Sequence, residues 1–256
     1  MTLSRRSVMK AGAAGLLALG ATPALVSMVS AQDVPNTIPV EGGELTIHPV
    51  GHASLVLQAG DTAIYVDPVG EASAYQAFPG ANLILITHEH GDHFNVDLLN
   101  VLAGEGTKMV TNPAVFEKLP ENLRGIASQL ANGEKTEAAG VTIDAIPAYN
   151  TTEDRLQYHP KGRDNGYVLS LSGARVYIAG DTEDIPEMRA LQDIDVAFVP
   201  MNLPYTMTVE QAASAVNEFK PKVVYPYHYQ GSDVEQFKKL VEAGGGEIEV
   251  RLAKWY

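Results

Sequence analysis

The hydrophobic positions of this chain fall into short runs bounded by turn residues. Glu44–Val50, Ala53–Gln58 and Ala63–Asp67 are rich in Leu, Ile and Val and are punctuated by Gly51 and Gly60-Asp61, a pattern that predicts strands. Asn82–Thr87 (Asn-Leu-Ile-Leu-Ile-Thr) is apolar without alternation, as in a strand covered on both faces. Asn95–Leu102 predicts a helix, Lys108–Thr111 a strand, and Asn112-Pro113 the start of a short helix through Leu119. The second half repeats the style, with strands predicted at Val141–Pro147, Gly166–Leu171, Arg175–Ala179, Ala197–Met201, Val223–Tyr227 and Glu247–Leu252. Helices are predicted at Ile185–Leu191, Thr208–Phe219 and Asp233–Ala243, the second opened by Thr208 with Gln211 in a capping box. Residues 32–42 read as a lead-in. In each half strands come first and then alternate with helices, which predicts an α+β sandwich of two face-to-face sheets with helices outside. With 256 residues, 45% of them hydrophobic, no low-complexity linker and no fixed-period repeat, residues 32–256 read as one domain with a substantial core.

The N-terminus stands apart. Ser4-Arg5-Arg6-Ser7-Val8-Met9-Lys10 resembles the bacterial twin-arginine export signal, and a weakly hydrophobic stretch, Ala11 to Val29, follows it. Val29-Ser30-Ala31 offers a cleavage site, so residues 1–31 read as a signal peptide. The mature protein is then expected in the periplasm or outside the cell, with the twin-arginine machinery as a partner during export. The competing reading is an anchor helix, for which Gly12, Gly15, Gly20 and Pro23 are poor residues. No later run is long and apolar enough to predict a membrane span.

Removing residues 1–31 takes Arg5, Arg6 and Lys10 but no acid, so the formal net charge falls from −13 to −16. Such a surface argues against a nucleic-acid partner. There is no cysteine, so disulfides are excluded and any metal must be held by nitrogen and oxygen.

The chemistry concentrates in Thr87-His88-Glu89-His90-Gly91-Asp92-His93. Three of the chain's seven histidines fall here, directly after the apolar strand. A strand end opening into a loop is where a rigid scaffold presents ligands. On an extended backbone His88 and His90 project to one side, and Gly91 lets the chain turn so that Asp92 and His93 reach a second point. The spacing suits two metals; the bland competitor is a His-rich polar loop.

This segment resembles the HxHxDH motif of the metallo-β-lactamase superfamily. Gly51-His52-Ala53-Ser54 and Tyr65-Val66-Asp67-Pro68 resemble that fold's first hairpin and the aspartate that precedes the cluster. Ala179-Gly180-Asp181-Thr182 and Tyr225-Pro226-Tyr227-His228-Tyr229 resemble its later strand-end motifs. Pro147-Ala148-Tyr149-Asn150, His159-Pro160-Lys161-Gly162 and Tyr205-Thr206-Met207 are similar to the branch holding ascorbate-phosphate lactonase and N-acyl-phosphatidylethanolamine phospholipase. The resemblance implies a four-layer αββα sandwich and two divalent metal ions, zinc first, with manganese or iron tolerated by the same ligands. It implies that His88 and His90 bind one ion, that Asp92, His93 and His228 bind the other, and that Asp181 bridges them. A third histidine for the first ion is expected near Ala148–Asn150, where this chain has Asn150; His159 or Asn150 is the candidate replacement. His52 is a candidate support for the site, and His48 a structural histidine.

The implied activity is hydrolysis of an ester, lactone or phosphodiester in a small molecule by a metal-bridging hydroxide, with Asp92 orienting it. No G-x-S-x-G elbow offers a serine alternative. A non-catalytic metal- or ligand-binding protein on a degenerate scaffold is the competing class, motivated by Asn150, and β-lactam hydrolysis ranks below both. The polar segment 149–165 is long enough for a lid and carries Arg155, Lys161 and Arg163, candidates either for an anionic group or for an ordinary basic surface. Tyr205 and Tyr229 are candidates for substrate binding.

Overall fold

Leu55, Leu57, Ile64 and Val66 face one side of their strands, Val56, Ala63 and Tyr65 the other, and all are buried. A sheet apolar on both faces must be covered on both. The computed structural model describes residues 36–256; the signal-peptide reading of residues 1–31 lies outside the described residues.

The first half forms one seven-stranded sheet in sequence order: β1 (Thr37–Val40), β2 (Gly43–Gly51), β3 (Ser54–Ala59), β4 (Thr62–Val66), β5 (Leu83–Ile86), β6 (Lys108–Thr111) and β7 (Ala127–Gln129). The pairings from β1 to β4 are antiparallel and those from β4 to β7 parallel. The second half repeats the plan with β8 (Lys135–Ala138), β9 (Val141–Ala148), β10 (Asp164–Leu171), β11 (Ala174–Ile178), β12 (Val196–Pro200), β13 (Val223–Tyr227) and β14 (Glu249–Val250). There too the antiparallel strands come first and the parallel ones follow.

Three hydrophobic clusters mark the layers. Between the sheets lie Leu45, Leu57, Leu85, Tyr167, Phe198 and Tyr227, among others. The outer face of the first sheet is covered by helices α1 (Val96–Leu102), α2 (Pro113–Lys118) and α3 (Glu121–Arg124), through Leu98, Leu99, Val115 and Leu123. The outer face of the second is covered by α4 (Pro186–Arg189), α5 (Val209–Phe219) and α6 (Val234–Ala243), through Met188, Val216, Phe219, Phe237 and Val241. This is the expected αββα sandwich. The Thr208–Gln211 capping box is present, with Gln211 N donating to Thr208 Oγ1 at 3.1 Å and Thr208 N to Gln211 Oε1 at 2.9 Å.

Strands β1, β7 and β8 and helix α3 were not expected. The three strands lie at sheet edges and carry Pro39, Ser128, Gln129, Lys135 and Glu137, so hydrophobic patterning does not reveal them. The last strand is shorter than the predicted Glu247–Leu252, since only Glu249 and Val250 pair with β13.

Leu57 is fully buried between the sheets. Leu57→Ala is expected to cost about 2–5 kcal/mol, and Thr208→Ala, which removes only a cap, about 1 kcal/mol. Thermal melts check this: the first variant should fall several times further in midpoint than the second.

Candidate metal centre

The cluster forms at one end of the sandwich, where strand ends of the two stacked sheets come together. Strand β5 runs out at Thr87, and Thr87 O accepts from Asn165 N (3.0 Å), at the start of β10, and from Asn112 Nδ2 (2.9 Å). Tyr167 reaches across to donate to Ile86 O at 2.8 Å. From the second sheet, β11 ends at Ile178 and leads into Gly180, which has φ +65 and packs so tightly that a Cβ there would lie 2.7 Å from Asn165 O and 3.2 Å from Thr87 Cβ. Only glycine allows this backbone and this approach. Asp181 is thereby set against the histidines that follow Thr87. The chain bends from Glu89 and turns through His93, whose N donates to His90 O at 2.9 Å, so His88 and His90 converge through a bend rather than along an extended strand.

The rings of His88, His93 and His159 are oriented from behind. Asp67, itself buried with φ 43, accepts from Thr87 N (2.7 Å), Thr87 Oγ1 (2.6 Å) and His93 Nδ1 (2.8 Å). Thr87 has one hydroxyl proton and gives it to Asp67, so it accepts from His88 Nδ1 at 2.9 Å. His159 Nδ1 donates to Asp164 Oδ2 at 2.9 Å, and Asp164 is held in turn by Arg163. These partners turn the Nε2 atoms of His88, His93 and His159 toward Asp181, at 3.9, 3.4 and 3.4 Å, and His228 Nε2 joins them at 3.2 Å. Asp92 lies 3.5 Å from His228 Nε2 and 4.0 Å from His93 Nε2. The rings of His88, His90 and His159 form a second face of the cluster, their ligand atoms within 4.8 Å of one another.

This arrangement fits divalent cations. Nε2 of His88, His93 and His228 and Oδ1 of Asp181 are buried without a hydrogen-bond partner in the protein. Lone pairs converging on a buried carboxylate repel it unless positive charge stands among them. Burial, with His93 and His159 adding to it, pushes His88 well below its usual pKa, so His88 stays neutral with its lone pair unprotonated. Burial also opposes charge on His93, but Asp181 and Asp67 outweigh it and raise the ring to about 9. Carboxylates pairing through histidine are the support that metal-bound imidazoles require.

The structure thus brings together His88, His90, Asp92, His93, His159, Asp181 and His228. Asn150 is buried, donates through Nδ2 to Arg155 O (3.1 Å) and Tyr205 O (2.8 Å), and leaves Oδ1 without a protein partner. His52 approaches Asp92 Oδ2 through Nε2 at 3.1 Å and Tyr256 OH through Nδ1 at 2.8 Å. His48 stands apart from the cluster, against Phe78. The cluster opens into a cleft of about 680 Å³ whose walls include Tyr158, Tyr205, Tyr256, Asn202 and Gln230. Tyr205 therefore lines the cleft, whereas Tyr229 sits behind Tyr256, ring centres 5.0 Å apart, and does not. Tyr158 and Tyr256 carry no motif; only their rings' closeness to Tyr205 and His52 reveals them. The three basic residues of segment 149–165 are occupied: Arg155 by Glu183 (2.7 Å), Arg163 by Asp164 (2.6 Å) and Lys161 by Tyr149 (3.0 Å) and Glu187 (3.5 Å).

Two mixed sheets that meet at a histidine–aspartate cluster on their strand ends are one protein class, and residues 46–228 match its family model, a beta-lactamase superfamily domain. The chain belongs to the metallo-β-lactamase superfamily. Among its relatives, a UPF0173 metal-dependent hydrolase of Thermococcus onnurineus is 36% identical over 218 residues, covering 80% of this chain and 94% of that protein. The crystal structure of a candidate metal-dependent hydrolase from Parabacteroides distasonis superposes with a TM-score of 0.77 at 43% identity, over 85% of this chain and 98% of its own. A metallo hydrolase from the archaeon Ignicoccus hospitalis follows at a TM-score of 0.68 and 25% identity, over 82% and 95% of the two chains.

A proton on His93 Nε2 would occupy the point at which a metal ion held among these donors would meet the ring. In chelator-treated protein that proton stabilises the fold fully below the ordinary histidine value of 6.5, and the contribution is lost as the pH rises through about 9. Zinc affinity, measured by titration calorimetry, is expected to climb steadily from pH 6 to pH 9. A flat profile would remove this account of His93.

Proposed function

We propose that the chain is a hydrolase working with two divalent ions, held on one side by His88, His90 and His159 and on the other by Asp92, His93 and His228, with Asp181 between them. The observation that carries this reading is the buried Asp181 carboxylate ringed by imidazole nitrogens that have no other partner. The ligand set of imidazole and carboxylate favours zinc, with manganese or iron as substitutes. Ions bound there supply Lewis acidity toward the substrate oxygen and a source of hydroxide near neutral pH. The protein's own groups do the rest. Asp67, Thr87 and Asp164 fix the tautomer and tilt of His93, His88 and His159. Asp92, half exposed and held by His52, faces the cleft where a substrate enters.

The bond attacked is an ester, lactone or phosphodiester, in keeping with the lactonase- and phospholipase-like look of the motifs. The non-catalytic alternative drew on Asn150 alone, and the approach of His159 to Asp181 weakens it. β-Lactam hydrolysis stays a lower-ranked reading. The twin-arginine motif and the site at Ala31 support export of the folded protein to the periplasm or beyond; N-terminal sequencing of the exported protein is expected to begin at Gln32.

His90→Ala and Asp181→Ala are expected to abolish hydrolysis while circular dichroism stays native. Asp67→Asn, which weakens the support of His93 directly and that of His88 through Thr87, is expected to lower metal affinity or turnover about 10–100-fold. Metal analysis should find two equivalents in the wild type. Undiminished turnover in both alanine variants, or less than one equivalent of metal, would sink the dinuclear reading. His159→Ala is expected to lose one equivalent and Asn150→Ala none; the reverse result would move the ligand assignment to Asn150.

A further inference from the structure

The wall of the cleft is short of positive charge. Among the described residues that line it there is no lysine and no arginine. The three nearby cations, Arg155, Lys161 and Arg163, are committed to Glu183, Glu187 and Asp164, and the first and last of these acids are fully buried. What the wall does offer is aromatic surface from Tyr158, Tyr205 and Tyr256 and neutral amides from Asn202 and Gln230. Tyr158 and Tyr205 meet edge to face, ring centres 5.0 Å apart.

Exposed apolar surface gathers at the same place. Of the five large hydrophobic side chains exposed among the described residues, Tyr205 and Tyr256 line the cleft. Two more, Leu156 and Leu203, sit two residues before Tyr158 and Tyr205 on the same loops. Those loops are tied together by Asn150 Nδ2, which donates to Arg155 O and Tyr205 O, and by Arg155 Nη1, which donates to Thr206 O at 3.1 Å. Beyond Asn202 and Gln230, which border both, lies a second depression of about 410 Å³ lined by Leu203 and Val209 together with the acids Glu210 and Asp233, and among the described residues it too offers no cation. A concave apolar wall with a few neutral polar groups selects an uncharged ligand with apolar bulk, and apolar surface exposed in one patch marks a binding site.

We infer that, within the hydrolase reading on which this rests, the substrate is an uncharged carboxylic ester or lactone carrying an apolar chain or ring, and not a phosphodiester or another anion. The ester oxygens face the metal cluster, and the apolar part lies along Tyr158, Tyr205 and Tyr256 toward Leu203. Among the described residues the wall adds no positive charge, so any positive charge is confined to the metal site, where two divalent ions would outweigh Asp92 and Asp181. A phosphate held there would find no second cation along the wall, and the net negative surface would oppose its approach.

The test separates recognition from turnover. Zinc-loaded protein is assayed with 4-nitrophenyl acetate and 4-nitrophenyl hexanoate, which differ in chain length and little in reactivity. Binding of 4-nitrophenyl hexyl ether, which cannot be hydrolysed, and of bis(4-nitrophenyl) phosphate is followed by ligand-observed NMR. The expected results are a KM at least fivefold lower for the hexanoate than for the acetate and binding of the ether at least tenfold tighter than that of the phosphodiester. Tyr205→Ala, at an exposed position, should erase the chain-length preference and weaken the ether at least fivefold. Tighter binding of the phosphodiester, or ether binding indifferent to both Tyr205→Ala and Tyr158→Ala, would overturn the inference and leave the hydrolase reading standing. Ether bound through the tyrosines with neither ester hydrolysed would do the opposite, removing the hydrolase reading while the apolar recognition holds.

Discussion

A carboxylate that is 2% exposed and faces four imidazole nitrogens within 3.9 Å is the constraint around which the rest of this molecule is arranged. Burying the charge of Asp181 is costly unless positive charge meets it. Among the described residues no lysine or arginine meets it. The protein supplies instead donor atoms, those of His88, His93 and His159 turned inward by groups behind them, so that a cation is the natural counterpart. Thr87, Asp67 and Asp164 serve this end, and each sits on or beside a strand terminus, where backbone hydrogen bonds leave little freedom.

The duplicated architecture explains how such a cluster is assembled. The first half of the chain contributes the turn after β5 and the second half contributes the ends of β11 and β13 and the loop before β10. Neither half holds a complete set of donors. The fit between Gly180 and Thr87, and the bond from Tyr167 to Ile86, fix the distance between the contributions. The interior packing of the two sheets and the geometry of the cluster are therefore one problem rather than two.

The parts legible in the sequence were those encoded locally. The strand runs, the capping box at Thr208 and the dense motif from His88 to His93 are each readable within a few residues, and Asp181 and His228 were reachable by resemblance to known strand-end motifs. The pairing of His159 with Asp164 was not, because it depends on the register of β9 with β10, which sets Asp164 opposite Ala148. The edge strands were missed because one or both of their faces are solvated. Tyr158 and Tyr256 were missed because the cleft draws its wall from loops far apart in the chain. A tyrosine spaced like any other surface residue gives no sign that it borders a cavity.

Glu183 follows Asp181 by two residues and belongs to none of the donor groups of the cluster. It accepts from the backbone and hydroxyl groups of both Thr151 and Thr152, at 2.6 to 2.8 Å, and pairs with Arg155. The segment that sequence length alone would allow to swing as a lid is thus bolted at its root to the turn that carries the central aspartate. A mouth held in this way has its shape before any guest arrives. What the wall presents to a guest is set by the same hydrogen bonds that hold the turn of Asp181.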